Sequence, residues 1–120
     1  MDMDVRTILD YVNAHGLVGS FRAEENRLIC AESGGPFGLG GKSVWVEKRD
    51  ERWYISTWVP RIYEAMNVDD VARATVEALN AKGPLYEIEK DIQATYSLRE
   101  LSPREVDEYL SSYKEEESDD

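Results

Sequence analysis

The apolar residues near the start of the chain recur at the i, i+3, i+4, i+7 spacing of an amphipathic helix. They are Val5, Ile8, Leu9 and Val12. An aspartate at position 2 or 4 can cap the start of this helix, and Gly16 can end it. The spacing predicts a helix over about residues 4–15.

Two pairs of short apolar runs then predict two β-hairpins. The runs at about 17–23 and 27–31 flank a polar turn, and the runs at 44–48 and 52–59 flank Arg49-Asp50-Glu51. Residues 33–41, between the hairpins, hold five glycines and one proline and predict a loop. Pro60 is expected to end the second hairpin.

Capping signals predict two further helices. Asn67 is an N-cap residue with Asp70 three positions on, and the Gly83-Pro84 pair predicts the end of that helix. Residues 85–101 predict a short helix near 87–96 and an extended segment over 97–101.

The third long helix begins with an N-cap, a proline in the first turn and a glutamate at the capping-box position. These residues are Ser102, Pro103 and Glu105. We expect this helix to run to about Tyr113.

Together the elements predict one α+β domain over residues 1–113 and a disordered acidic tail over residues 114–120. The expected architecture is a four-stranded antiparallel sheet, with the N-terminal helix and the second long helix on one face and the C-terminal helix at an edge or on the other face. The residues expected in the core are Val5, Ile8, Leu9, Val12, Val44, Val46, Ile55, Val76 and Leu79.

The second hairpin carries the main functional prediction. A four-residue loop at 49–52 places Val46 opposite Ile55 on one face. Side chains alternate along each strand, so the positions next to Val46 and Ile55 lie on the other face. Trp45, Glu47, Tyr54 and Trp58 are therefore predicted to form an exposed partner-binding surface. Packing in a core is the competing interpretation, since most aromatic stripes are buried.

Charge narrows the class of partner. The 120 residues include 25 acidic and 14 basic side chains, for a formal net charge of -11. Such acidity disfavours duplex nucleic acid, whose phosphates are bound by clustered lysine and arginine. We expect instead a protein with a basic surface, bound by a monomer or a homodimer of this chain.

The single cysteine, Cys30, excludes an intramolecular disulfide, and the sequence has neither a signal-peptide pattern nor a long apolar segment. These features predict a cytoplasmic protein that does not enter a membrane.

Catalytic signals are weak. Gly40-Gly41-Lys42-Ser43 lacks the first glycine of a phosphate-binding loop, because Pro36 occupies that position. His15 is the only histidine and lies at a predicted helix end, where it can interact with exposed carbonyl groups. With no metal-ligand cluster and no cofactor motif, we expect a non-catalytic binding module, and a carboxylate-based hydrolase is the enzymatic alternative.

The order helix, four strands, helix over residues 1–82, with the strand Arg-Trp-Tyr-Ile-Ser-Thr-Trp, resembles the plan of type III secretion chaperones and related small bacterial proteins. Small size and acidity also resemble bacterial immunity proteins and phage-encoded inhibitors. The second resemblance implies a protein that binds and blocks a partner. The first implies a homodimer that escorts one. Neither resemblance assigns a function to an individual residue.

Overall fold

The computed structural model describes residues 3–15, 19–32, 43–57, 61–80 and 87–117, and in these ranges the chain forms four helices and six strands. In chain order they are α1 (Met3–Ala14), β1 (Gly19–Ala23), β2 (Arg27–Glu32), β3 (Ser43–Arg49), β4 (Arg52–Thr57), β5 (Ile62–Ala65), α2 (Val68–Asn80), α3 (Lys90–Thr95), β6 (Arg99–Glu100) and α4 (Pro103–Glu117). The strands form one antiparallel sheet in which their spatial order is their order along the chain.

The predicted α+β class with an antiparallel sheet is confirmed, but the prediction of four strands is wrong. β5 is a four-residue strand that follows the proline expected to end the hairpin. β6 has only two residues, both exposed, and it is a strand because Tyr63 and Glu64 of β5 pair with Glu100 and Arg99. So short a strand has no hydrophobic alternation by which a sequence could reveal it.

The predicted register of the second hairpin is confirmed. Val46 pairs with Ile55, and Glu47 pairs with Tyr54. The two residues at the tip, Asp50 and Glu51, have φ angles of 50° and 66°. Positive φ at both central residues is what a two-residue type I′ turn requires, and this turn matches the twist of the flanking strands.

The helices α1 and α2 pack against each other and on the same face of the sheet, α1 over β1 and β2, and α2 over β3 to β5. The core lies between these layers, and it contains every predicted core residue except Leu9, which is half-buried at its margin. The largest fully buried side chains of this core include Tyr63, Ile8, Leu28, Ile55, Leu79 and Ile88. The hydroxyl of Tyr63 accepts a hydrogen bond from the Ile88 backbone N–H at 3.2 Å, which ties the segment before α3 to the core.

The predicted helix starts are confirmed at atomic detail. The Asn67 side-chain oxygen accepts the Asp70 backbone N–H at 2.9 Å. At the start of α4, Ser102 and Glu105 form a reciprocal capping box, since the backbone N–H of each donates to the other's side chain. The helix α4, expected to end at about Tyr113, runs to Glu117. The predicted stop at Gly83-Pro84 and the glycine-rich loop at 33–41 lie outside the described residues.

The helix α4 packs on the opposite face of the sheet from α1 and α2. It contributes to a small apolar cluster of its own, separate from the main core. The buried members are Ile62, Leu101 and Tyr109, with Tyr54, Val106 and Leu110 partly buried around them. Among the described elements, α1 and α2 therefore lie on one face of the sheet and α4 lies on the other.

Candidate functional site

The candidate site is the sheet face on which α4 lies, which we call the α4 face. Its side chains alternate with the core residues along each strand. On β2 to β5 they are Arg27, Ile29, Trp45, Glu47, Arg49, Arg52, Tyr54, Ser56, Ile62 and Glu64. The contacts of α4 with Ile62, Tyr54 and Glu47 show that the helix crosses from β5 toward the tip of the β3–β4 hairpin.

Trp45 is the predicted site residue that the structure places at the surface. Its side chain is 45% exposed, although β3 is an interior strand with β2 and β4 on its two sides. Ile29 on β2, its register partner, is half-buried. Because large apolar side chains in the middle of a sheet are usually packed under a second layer, Trp45 marks the part of the α4 face that α4 leaves open.

Glu47, predicted at the surface among the aromatic residues, is instead buried at 5% exposure. The reason is α4, which crosses directly above it. The Tyr109 hydroxyl donates to a Glu47 carboxylate oxygen at 2.8 Å, and Arg49 Nε donates to the same oxygen. Arg27 Nε lies 4.0 Å from the other oxygen. A carboxylate can be buried there because it has two hydrogen-bond donors and a second arginine close by.

Tyr54, also predicted to be exposed, is half-buried beneath α4. Its ring centroid lies 5.1 Å from that of Tyr109, with the ring planes inclined at 58°. Burial and the neighbouring Glu64 carboxylate raise the pKa of the Tyr54 hydroxyl above its ordinary value of 10.0. Trp58, the fourth predicted site residue, lies outside the described residues.

Arg49 completes the contact between α4 and the sheet. Its guanidinium carbon lies 3.7 Å from the centroid of the Tyr109 ring, and its Nη1 donates to the Tyr109 carbonyl oxygen at 3.1 Å. One arginine thus makes a cation–π contact with the Tyr109 ring, donates to the Tyr109 carbonyl oxygen and pairs with the buried Glu47. These contacts make Tyr109 the main attachment of α4 to the hairpin.

Neither Tyr109 nor Arg49 was a predicted site residue. The sequence does contain one usable signal, because Val106, Tyr109 and Leu110 follow the i, i+3, i+4 spacing of a helix face that packs on another element. No signal connects Arg49 to that face, since the contact joins residues sixty positions apart.

The carboxylates of this face are paired with arginines rather than with each other. Arg27 lies between Glu24, at 3.2 Å, and Glu47, at 4.0 Å. Glu64 lies 3.4 Å from Arg52 and 3.3 Å from Arg99. In a hydrolase, two catalytic carboxyl groups flank the space that the substrate occupies. In this protein, an arginine side chain occupies the space between Glu24 and Glu47.

A cavity of about 480 Å³ lies beside Glu47, between the hairpin tip and α4, and is lined by polar residues. Its cationic side chains are Arg27, Lys48 and Arg49, and each has a carboxylate partner. Among the described residues no group of three or more histidine, cysteine, aspartate or glutamate side chains could hold a metal ion.

The other candidate residues have structural roles. His15 Nδ1 lies 2.8 Å from the Tyr11 carbonyl oxygen, to which it donates, so the histidine satisfies a carbonyl at the end of α1 as expected. Ser43, the last residue of the glycine-rich Gly-Gly-Lys-Ser segment, begins strand β3. A phosphate-binding loop would lead into a helix at that point.

Comparison of the chain with models of protein families, with curated proteins and with solved structures finds no match in any of the three. The described residues define an acidic α+β domain whose antiparallel sheet carries α1 and α2 on one face and α4 on the other. None of the helices in the described ranges is long and apolar enough to cross a membrane.

Proposed function

We propose that this protein is a non-catalytic binding module that recognises a partner protein through the open part of the α4 face and thereby blocks or escorts it. The observation that carries the proposal is the position of Trp45, a large aromatic side chain exposed in the middle of an interior strand. The expected contact surface includes Trp45 with Ile29 beside it. Glu47 and Tyr54 lie under α4 and are left out of it, and Trp58 stays a prediction.

The energetic argument concerns what Trp45 gains when it is covered. A tryptophan can bury a large apolar area while its indole N–H donates a hydrogen bond, and for this reason tryptophan is enriched among the residues that dominate binding energy. The strands on either side hold Trp45 in place before a partner arrives, so little additional ordering is needed on binding.

Charge supports a basic partner. The helix α4, residues 103–117, contains six acidic and two basic side chains. It borders the open part of the α4 face, because it lies on that face. A partner with a basic surface would therefore be steered toward the side of the domain that carries Trp45.

The hydrolase alternative has less support. Its requirement is a pair of acids on either side of an accessible space, and the acids of the α4 face are instead bridged by arginines. In a binding module these ion pairs need only fix the positions of the side chains on the α4 face.

The proposal can be tested by placing a photo-crosslinking amino acid at position 45 in cells that produce the protein, with the same amino acid at position 66 as the control. Met66 is also a large exposed apolar residue, at 72%, but it lies in the turn before α2. We expect one specific protein to be captured from position 45 and not from position 66.

The purified partner then allows affinity to be measured. Trp45→Ala should weaken binding by about 2 kcal/mol or more, roughly thirtyfold, whereas Met66→Ala should leave it unchanged. Association should also slow as salt is raised, because the expected attraction is between opposite charges. Equal effects of the two substitutions, or binding that is insensitive to salt, would contradict the proposal.

A further inference from the structure

The attachment of α4 differs from that of the other long helices. The helices α1 and α2 contribute buried side chains to the main core, whereas the single described α4 side chain that is buried is Tyr109, which belongs to the separate small cluster. Val106 and Leu110 are only partly buried beside it, and the other contacts are polar, through Glu47 and Arg49 near the middle of the helix and through Arg99 and Glu105 at its start. Small apolar area and polar contacts are the features of segments that open without global unfolding.

The helix also has stabilising contacts of its own that do not involve the sheet. Its first turn carries the Ser102–Glu105 capping box, and Arg104 pairs with Glu108 one turn later at 3.5 Å. Only Leu101 and Ser102 connect it to β6. A rotation at this short connection can lift α4 off the sheet while the helix keeps its own caps.

Lifting α4 would enlarge the apolar surface around Trp45. The register places Ile29, Trp45, Ser56 and Ile62 in one row across β2, β3, β4 and β5. Ile62 is fully buried in the α4 cluster, and Tyr54, also in that cluster, is one row nearer the hairpin tip. With α4 displaced, these residues would form a strip continuous with Trp45 and Ile29.

We propose that α4 is a displaceable cover, and that the surface beneath it binds an amphipathic helix of the partner in the place that α4 occupies. The argument for this occupant is that α4 is itself an amphipathic helix seated on the face, held by a hydrogen-bond donor that reaches Glu47. A competing helix needs an apolar stripe, a donor for Glu47 and, because of the net charge of -11, cationic residues on its outer side. This inference rests on the proposed function, and it makes α4 the element that controls access to the partner-binding surface.

The cover is tested first by hydrogen exchange of the free full-length chain. The amides of α4 should exchange at least roughly a hundredfold faster than those of β3 and β4, because α4 opens alone. Tyr109→Phe, which removes the donor to Glu47, should raise the α4 rates about tenfold and leave β3 and β4 unchanged. Tyr63→Phe is the matched control, since Tyr63 lies in the main core, and it should not change α4 selectively. Exchange of α4 at the rate of the sheet would overturn the cover.

The helix-binding surface is tested with two synthetic peptides of residues 102–117, one of natural sequence and one carrying Asp107→Lys and Ser111→Lys, which keeps the Arg104–Glu108 pair. Both replaced positions are exposed in α4. Each peptide should bind the Tyr109→Phe chain about tenfold more tightly than the wild-type chain, because the variant has α4 displaced more often. The lysine peptide should bind the more tightly of the two. Equal affinity for both chains, or no binding to the variant, would overturn the proposal.

These measurements need no natural partner. A cover that opens and accepts the peptides, together with a failure of capture at position 45, would refute the proposed function alone. Capture at position 45 with an α4 that never opens by itself would refute the cover alone.

Discussion

The Tyr109 hydroxyl donates a hydrogen bond of 2.8 Å to the buried carboxylate of Glu47, sixty-two residues earlier in the chain. This contact joins the C-terminal helix to an interior strand. It also explains why an acidic side chain in the middle of a sheet face is not at the surface, since the helix brings the donor that Glu47 needs. Because this contact holds α4 over Glu47 and Tyr54, that part of the α4 face is covered, while Trp45 is exposed.

A double-mutant cycle should measure that contact. Glu47→Gln and Tyr109→Phe should each weaken the docking of α4 on the sheet. Their effects should be non-additive by about 1–2 kcal/mol, because either change alone removes the charged hydrogen bond. Docking is measured from native-state exchange of the α4 amides. Glu51→Gln combined with Tyr109→Phe is the control cycle, since the Glu51 side chain is 91% exposed at the hairpin tip, and it should be additive. Additivity in both cycles would show that the hydroxyl contributes nothing through Glu47.

Two tryptophans of the same hairpin should respond oppositely to truncation. Trp53 is in the main core, whereas Trp45 is on the other face and partly exposed. Trp53→Ala should lower the free energy of unfolding by about 3–5 kcal/mol, as is usual for aromatic residues in a core. Trp45→Ala should lower it by about 1 kcal/mol or less, because much of its surface is already in water. Urea unfolding of both variants makes the comparison, and a large loss for Trp45→Ala would mean that this residue serves packing rather than binding.

The register of this hairpin could be predicted because alternation and loop length are local. Once the loop is set at residues 49–52, every pair along β3 and β4 follows, and so does the separation of Trp45 from Val46. The starts of α2 and α4 could be predicted for the same reason, since caps depend on residues three positions apart.

The cover over the site could not be predicted in this way. A strand pattern tells which residues share a face but not which distant helix lies on it, and a glutamate at position 47 by itself indicates exposure. Its burial depends on Tyr109, Arg49 and Arg27 meeting in space. The sixth strand was missed on similar grounds, because Arg99 and Glu100 form a strand only through their pairing with β5.

The hairpin tip offers a stabilising substitution. Asp50 and Glu51 both adopt positive φ, and a glutamate in the left-handed region is unfavourable because its Cβ crowds the following carbonyl oxygen. Asp50→Asn with Glu51→Gly supplies the preferred type I′ pair and should raise the free energy of unfolding by about 1 kcal/mol. Asp50→Asn with Glu51→Ala is the control, because it removes the same two charges but keeps a Cβ at position 51. If this control stabilises the protein equally in urea unfolding, the benefit does not come from the glycine backbone at position 51.

The start of α4 should be sensitive to acid. The pKa of the Glu105 carboxyl is lowered from 4.5 to about 2. The main cause is the hydrogen bond from the Arg99 side chain, and the hydrogen bond from the Ser102 backbone N–H adds to it. The folded state thus holds the ionised form more strongly than the unfolded chain does. Its contribution to stability is complete above the unfolded pKa and is lost as the pH falls from there toward the folded value.

Glu105→Gln should therefore lower the melting temperature most near neutral pH, and the gap from wild type should narrow as the pH approaches about 2, where the carboxyl of the wild-type protein also becomes protonated. Circular dichroism melts across this range measure the gap. Arg99→Gln should reduce the acid sensitivity as well, because Arg99 is the main cause of the lowered pKa. A gap between Glu105→Gln and wild type that stays constant with pH would mean that Glu105 acts only as a neutral hydrogen-bond acceptor in the capping box.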